Sequence, residues 1–120
     1  MIIGIGIDLI EIERIKKHFK QKERFINRIL TEAEKAVLNE LHSEKRQLEY
    51  IAGRFAAKEA LAKAVGTGIG QLSFQDIEIL NKENGAPYIT VKGFIDENIL
   101  ISISHTEHYA TAQVVIEKIS

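Results

Sequence analysis

The sequence has 120 residues, of which 45% are apolar and 28% charged, and its net charge is -1. This length predicts one compact domain over residues 1–120, and the balanced charge indicates no overall attraction to nucleic acid or membranes. The absence of cysteine excludes disulfides, thiolate metal sites and a cysteine nucleophile. No apolar run approaches the roughly 20 residues that a membrane span needs, and Asp8 interrupts the apolar N-terminus. We therefore expect a cytoplasmic protein.

The N-terminal region predicts a strand followed by a helix. Residues 2–7 alternate isoleucine and glycine, and we expect this strand to end at Asp8. Its glycines leave one face without side chains, which favours close approach by another backbone or by a ligand. Residues 9–20 carry apolar side chains at helical spacing, so a helix is predicted there.

The rest of the chain predicts two more helices and then two hairpins. Thr31 followed by Glu34 is typical of a capping box, which begins a helix through about Leu41. A long helix is predicted over about residues 44–65. The period then changes to two, and the predicted strands lie at 76–80, 87–91, 98–106 and 109–118. The predicted class is α+β, with helices packed on an antiparallel sheet that the first strand can join.

Asp8 has two interpretations. A carboxylate just after a strand commonly caps the helix that follows, and this is the simpler role. It is also a suitable metal ligand at the end of a strand.

The predicted long helix carries Glu59 and Lys63, which are four residues apart and therefore share a helix face. The simplest interpretation is a surface ion pair. However, five alanines between positions 56 and 64 suit a face that another group approaches closely. The glycine-rich residues 66–70 can also bring backbone near phosphate oxygens, although they do not form a Walker motif. Both interpretations stay open on these residues alone.

The segment 102–106 places Ser102 and Ser104 on one face of a predicted strand and His105 on the other. This arrangement disfavours a Ser–His–Asp hydrolase, because Ser104 and His105 point in opposite directions. The serine stripe suits the hydrated side of a sheet, and His105 is either structural or a phosphate contact. Apart from positions 105 and 108, the four histidines lack the spacing of zinc ligands.

Five segments, in this order, resemble the holo-[acyl carrier protein] synthase family of small 4′-phosphopantetheinyl transferases. They are residues 6–14 (GIDLIEIER), 25–31 (FINRILT), 54–68 (RFAAKEALAKAVGTG), 85–87 (GAP) and 102–106 (SISHT). The resemblance extends over essentially the whole chain, and it implies the 4′-phosphopantetheinyl transferase fold.

The resemblance also implies a reaction. The 4′-phosphopantetheine arm of coenzyme A moves to a serine of apo-acyl carrier protein, and adenosine 3′,5′-bisphosphate is released, which supports fatty acid biosynthesis. It implies that Asp8 and Glu59 hold Mg²⁺, an ion that prefers few carboxylates and retains positions for water and phosphate. Glu59 is also the expected base, acting directly or through a water, and Lys63 is expected against the pyrophosphate. The expected contacts to the nucleotide end of coenzyme A come from Lys63, Arg54, Gly66, Gly85, Pro87 and His105.

The resemblance further implies two kinds of protein contact. Acyl carrier proteins are acidic, so Arg14, Arg24 and Arg28 suit electrostatic docking. A homotrimer with sites between neighbouring subunits is expected. Two alternatives stay open: a related transferase that serves a polyketide or peptide carrier, and a non-catalytic protein that binds a nucleotide or an acidic partner.

Overall fold

The computed structural model describes residues 1–18, 22–66 and 72–119 of the chain. Its elements are β1 (Ile2–Glu11), α1 (Ile12–His18), α2 (Lys22–Ile29), α3 (Glu32–Asn39), α4 (Glu44–Val65), a 3-10 helix (Phe74–Asp76), β2 (Ile77–Asn81), β3 (Pro87–Val91), β4 (Glu97–His105) and β5 (Tyr109–Lys118). Strands β1, β5 and β4 form an antiparallel sheet in that order, and α4 packs on it. The predicted α+β class is confirmed. Within the described ranges the strands form two sheets instead of one, because β2 and β3 pair with each other and not with the larger sheet.

The N-terminal boundaries differ from the prediction. Strand β1 does not end at Asp8 but continues to Glu11, since residues 9–11 pair with residues 109–111 of β5. The helix predicted over residues 9–20 therefore begins only at Ile12, and residues 19–21 lie outside the described residues. Pairing with a strand distant in sequence outweighs the local helical spacing. Helix α2 was not predicted.

The later boundaries agree closely with the prediction. The capping box is present, because the Thr31 N–H donates to Glu34 Oε1 (2.8 Å) and the Glu34 N–H donates to Thr31 Oγ1 (3.3 Å). Helix α4 spans the predicted residues and ends at Gly66, whose φ of 92° is left-handed, as is common at a helix C-terminus. Both predicted hairpins form.

The glycines of β1 let the strand and α4 touch backbone to backbone. A Cβ atom added at Gly4 or Gly6 would overlap a main-chain carbonyl oxygen of α4. A step of two residues along a strand, about 6.6 Å, matches a step of four along a helix, about 6 Å. Asp8 is the next residue on the same face of β1, so the same spacing places it near the turn of α4 that contains Glu59, and the long side chain of Lys63 reaches it.

A fully buried ion pair joins α3 and α4. Lys58 of α4 and Glu34 of α3 have no exposed side-chain surface, and their Nζ and Oε1 atoms are 2.7 Å apart. The ammonium also donates to the carbonyl oxygens of Ile29 (2.7 Å) and Phe74 (3.0 Å), so each of its three protons has an acceptor. Glu34 Oε2 accepts the Ile79 N–H (2.8 Å). Burial lowers the pKa of Lys58, and the Glu34 carboxylate opposes that effect.

Candidate active site

A cleft of about 500 Å³ lies where β1, α1, α2 and α4 meet. Four of the predicted site residues line it: Asp8, Arg14, Arg28 and Glu59. Its walls are otherwise mainly apolar and include Leu9, Ile10, Ile15, Phe25, Ile29, Phe55 and Phe74. Two carboxylates and two guanidinium groups therefore share one concave site with apolar walls, which is a common form of binding site.

Asp8 and Lys63 form an ion pair across β1 and α4. Lys63 Nζ donates to Asp8 Oδ1 (3.1 Å) and to the Ile7 carbonyl oxygen (3.0 Å). The Lys63 side chain is 56% exposed and that of Asp8 is 17% exposed. The charged partner of Lys63 is thus Asp8 and not Glu59. The surface ion pair between Glu59 and Lys63, which was the simplest interpretation of the sequence, does not form. The helix-cap interpretation of Asp8 is also wrong, because Asp8 lies inside β1.

Glu59 is half-buried and is electrostatically coupled to Asp8. Burial in the cleft raises the pKa of Glu59, and the negative charge of Asp8 raises it further. The positive charges of Lys63 and Arg28 act in the opposite direction. A carboxyl group whose pKa is raised by burial and by a neighbouring carboxylate is typical of catalytic and ligand-binding sites.

The two carboxylates fit a magnesium ion. Among residues 1–18, 22–66 and 72–119, no three acidic or histidine side chains converge on a point that suits a metal. Mg²⁺ seldom needs such a set, because proteins commonly bind it through one or two carboxylates while water and phosphate fill the other positions. The repulsion between Asp8 and Glu59 is the kind of unfavourable interaction that a divalent cation relieves.

The three arginines predicted to dock the carrier protein differ in position. Arg14 and Arg28 line the cleft, and the Arg28 guanidinium lies 5.6 Å from the centre of the Phe74 ring. Arg24 is exposed on α2 but does not line the cleft. The cleft therefore has a basic side next to its apolar wall.

Arg54 lies on another side of α4. Its side chain is only 7% exposed, its guanidinium lies 4.2 Å from the centre of the Tyr50 ring, and its Nη2 donates to Asn81 Oδ1. The raised pKa of Tyr50, about 12, results mainly from burial. Arg54 is thus held by the protein and does not line the cleft that contains Asp8.

The other residues predicted to contact the nucleotide also lie outside this cleft. Gly85 and Pro87 are at the turn between β2 and β3, and Gly66 ends α4. His105 ends β4, where its Nδ1 lies 3.6 Å from Glu49 Oε2. Residues 67–70 of the predicted glycine-rich segment lie outside the described residues. As predicted, Ser102 and Ser104 are exposed on the face of β4 opposite His105.

Sequence reasoning missed two features of this site. The first is its apolar wall, in which Phe25, Phe55 and Phe74 come from three different elements. The second is the buried Lys58, although a signal was present. Lys58 falls on the apolar stripe that Ile51 and Phe55 define at helical spacing, and a charge on such a stripe needs a buried partner.

Comparisons with known proteins agree with this geometry. The profile of the 4′-phosphopantetheinyl transferase superfamily matches residues 4–116. The holo-[acyl-carrier-protein] synthase of Oceanobacillus iheyensis is 58% identical over 117 residues, which cover 98% of each chain. That of Anoxybacillus flavithermus is 55% identical over 121 residues and covers 100% of this chain and 99% of its own. The chain belongs to the holo-[acyl-carrier-protein] synthase family.

Solved structures of the family have the same fold. The Bacillus anthracis enzyme, in complex with CoA (3′,5′-ADP), superposes with a TM-score of 0.91 at 49% identity and covers 98% of each chain. The Helicobacter pylori enzyme, in complex with coenzyme A, has a TM-score of 0.83 at 38% identity and covers 94% of this chain and 99% of its own. The family and the transferase class that the sequence indicated are confirmed. No helix in the described part of the chain is both long enough and apolar enough to cross a membrane.

Proposed function

We propose that this chain transfers the 4′-phosphopantetheine arm of coenzyme A to a serine of apo-acyl carrier protein. The observation that carries the proposal is the cleft, in which Asp8 from β1 and Glu59 from α4 meet beside Arg14 and Arg28. We propose that residues 1–120 form one transferase domain. We also propose a cytoplasmic location, because a chain without cysteine fits a reducing compartment.

Asp8 and Glu59 are the residues that would hold Mg²⁺. When bound, this ion reduces the negative charge of the pyrophosphate, which otherwise repels an oxygen nucleophile. Asp8 is fixed on β1 because Thr111 Oγ1 donates to the Asp8 carbonyl oxygen (2.8 Å). Glu59 is fixed within α4, so the two carboxylates come from rigid elements that pack closely together.

Glu59 is the proposed acceptor of the serine proton. Its raised pKa makes the Glu59 carboxylate a stronger base than that of an exposed glutamate. As the proton moves to Glu59, the serine oxygen bonds to the phosphorus that carries the pantetheine arm. The bond from that phosphorus to the bridging oxygen breaks, and adenosine 3′,5′-bisphosphate leaves with the bonding electron pair.

Lys63 is the proposed cation for the leaving phosphate. Its long side chain is more than half exposed, so its ammonium can move from Asp8 towards a bound anion with little desolvation. The Lys63 ammonium also donates to the Ile7 carbonyl oxygen, next to Asp8 in β1.

Arg14 and Arg28, with Arg24 nearby on α2, are the proposed docking surface for the acidic carrier protein. Opposite charges on partner surfaces accelerate association and orient the complex. The apolar wall beside these arginines excludes water from the interface, which strengthens the electrostatic interactions in the cleft.

We propose the homotrimer with shared sites that the family resemblance implies, and two observations support association between copies of the chain. First, the outer face of β1 exposes Ile3, Ile5, Ile7 and Leu9, each at least half exposed. The exposed Tyr109 of β5 and Leu100 of β4 lie on the same face of the sheet. An apolar face of this kind is typical of a protein interface. Second, Arg54, Gly85, Pro87 and His105 lie outside the carboxylate cleft of their own chain. A neighbouring copy can bring such residues next to the cleft and complete the site.

A transfer assay tests the proposal directly. The protein is incubated with coenzyme A, Mg²⁺ and apo-acyl carrier protein, and the carrier is weighed by mass spectrometry. We expect the mass of the phosphopantetheine arm to appear on the carrier, and chelation of Mg²⁺ to prevent it. No added mass, while a known synthase modifies the same carrier, would favour a binding protein. Transfer only to polyketide or peptide carriers would favour the related transferase.

A further inference from the structure

Asn81 links two of the elements assigned to the nucleotide. It is the last residue of β2, and its side-chain oxygen accepts a hydrogen bond from Arg54 Nη2. Its side-chain nitrogen donates to the Gly85 carbonyl oxygen (2.8 Å). One carboxamide group therefore connects α4 to the turn between β2 and β3.

The Arg54 end of this link is held on two sides. The guanidinium stacks on the Tyr50 ring and bonds to Asn81, in a side chain that is 7% exposed. Its Nε is buried and has no hydrogen-bond partner among the described residues. The surroundings fix the plane of the guanidinium while leaving part of its donor capacity unused, as in a group prepared for an anion.

The turn at the other end is internally rigid. The Gly85 N–H donates to the Lys82 carbonyl oxygen (2.9 Å), and the Lys82 N–H donates to the Ala86 carbonyl oxygen (2.9 Å). Asn84 Oδ1 accepts the Ala86 N–H (3.0 Å). These bonds hold the shape of the turn, and the bond from Arg54 to Asn81 ties the turn to α4.

We propose that Asn81 is a positioning residue for the nucleotide end of coenzyme A. It holds Arg54 and the turn at residues 85–87 as one preformed unit that receives the nucleotide phosphate. The inference rests on the proposed function and on Arg54, Gly85 and Pro87 being nucleotide contacts, as the family resemblance implies. Ordering these groups in advance improves affinity, because binding then loses less conformational freedom. Asn81 acts through its neighbours and itself makes no contact with the substrate.

The test compares wild type, Asn81→Ala and the control Asn39→Ala, which removes an exposed asparagine from the end of α3. Calorimetry measures the binding of adenosine 3′,5′-bisphosphate, which needs no turnover and no carrier protein. Because Asn81→Ala loses two hydrogen bonds, we expect its affinity for the bisphosphate to fall about tenfold and its KM for coenzyme A to rise about as much. We expect kcat, the KM for the carrier protein and the melting temperature to change little, and Asn39→Ala to match wild type.

A conservative variant separates positioning from general damage. Asn81→Gln keeps both the amide acceptor for Arg54 and the amide donor for the Gly85 carbonyl oxygen on a side chain one methylene longer, so we expect only about a threefold loss of bisphosphate affinity. Wild-type affinity in Asn81→Ala would overturn the inference, as would an equal rise in KM for both substrates together with a lower melting temperature. Neither result affects the proposed function if wild type transfers the arm. A wild-type protein that neither binds the bisphosphate nor transfers the arm would overturn both.

Discussion

Lys58 and Glu59 are adjacent on α4, yet their surroundings are opposite. Lys58 is completely buried, and the protein itself supplies an acceptor for each of its three ammonium protons. Glu59 is half-buried in an open cleft, where the nearby charge of Asp8 repels its own and raises its pKa. One charge is satisfied by the fold, and the other is left in an unfavourable environment.

The difference indicates which charges serve stability and which serve function. A buried charge with a full set of partners fixes the relative positions of the elements that supply them. A charge that is partly buried and repelled by a neighbouring charge remains available to a metal, a proton or a substrate. Lys58 also serves the site indirectly, because it binds the carbonyl oxygens of Ile29 and Phe74, two residues that line the cleft.

Replacing Lys58 should have the largest effect on stability. We expect Lys58→Met to reduce the free energy of unfolding by about 3–5 kcal/mol, because Glu34 then remains buried without its partner. The control Lys63→Met removes a half-exposed lysine from the same helix and should change stability by less than about 1 kcal/mol. Its transfer rate should nevertheless fall sharply. Urea unfolding and the transfer assay measure both quantities, and a Lys58→Met variant as stable as wild type would contradict this division.

The contact between β1 and α4 can be disturbed at Gly6. A methyl group there meets a main-chain carbonyl oxygen of α4, which cannot move without displacing the helix. We expect Gly6→Ala to lose about 3 kcal/mol of unfolding free energy. The control Ile5→Val, on the opposite face of β1, should lose about 1 kcal/mol or less. If both variants unfold at the wild-type urea concentration, the close approach is not essential to the fold.

A substitution on the basic side of the cleft should change the KM for the carrier protein and leave the KM for coenzyme A nearly unchanged. We expect Arg14→Glu to raise the KM for acyl carrier protein about tenfold at low salt, with less effect at high salt, because exposed charges are screened. The KM for coenzyme A should change little. Lys45→Glu makes the same charge change at the start of α4, outside this cleft, and should match wild type. Equal effects of the two variants would exclude a localised docking surface.

The smallest predicted effect concerns the electrostatic coupling between the carboxylates of Asp8 and Glu59. The charge of Asp8 raises the pKa of Glu59, so Asp8→Asn should lower that pKa. Burial, the larger cause of the raised pKa, remains in this variant and is opposed by the positive charges of Lys63 and Arg28. An NMR titration of Glu59 without divalent cations measures the pKa, with the exposed Glu32 as internal reference. An unchanged or higher pKa in Asp8→Asn would show that the carboxylates are not coupled.

The sequence predicted the local elements better than the junctions between them. The capping box, α4 and both hairpins depend on nearby residues, and their patterns were sufficient. The end of β1 depends on pairing with β5, about 100 residues later, which no local pattern reveals. The helical spacing of residues 9–20 therefore suggested a helix where the strand continues to Glu11.

For the site, the sequence indicated the residues that we propose take part in the reaction but not their partners. Asp8, Glu59 and Lys63 were identified, whereas the pairing of Lys63 with Asp8 required the packing of β1 on α4. The sequence also did not reveal the partner of Lys58. Glu34 was recognised as part of a capping box, and its second role depends on how α3 and α4 pack.

The most direct test applies one substitution to two glutamates. Glu59→Gln and Glu34→Gln each replace a carboxylate by an amide of the same shape, and both variants are compared with wild type in urea unfolding and in phosphopantetheine transfer. We predict that Glu59→Gln transfers at least about a thousandfold more slowly, with unchanged or higher stability. We predict that Glu34→Gln loses about 3–5 kcal/mol of unfolding free energy, because Lys58 is left buried without its counter-ion. Wild-type transfer by Glu59→Gln, or its unfolding alongside Glu34→Gln, would contradict the assignment of Glu59 to chemistry and Glu34 to the fold.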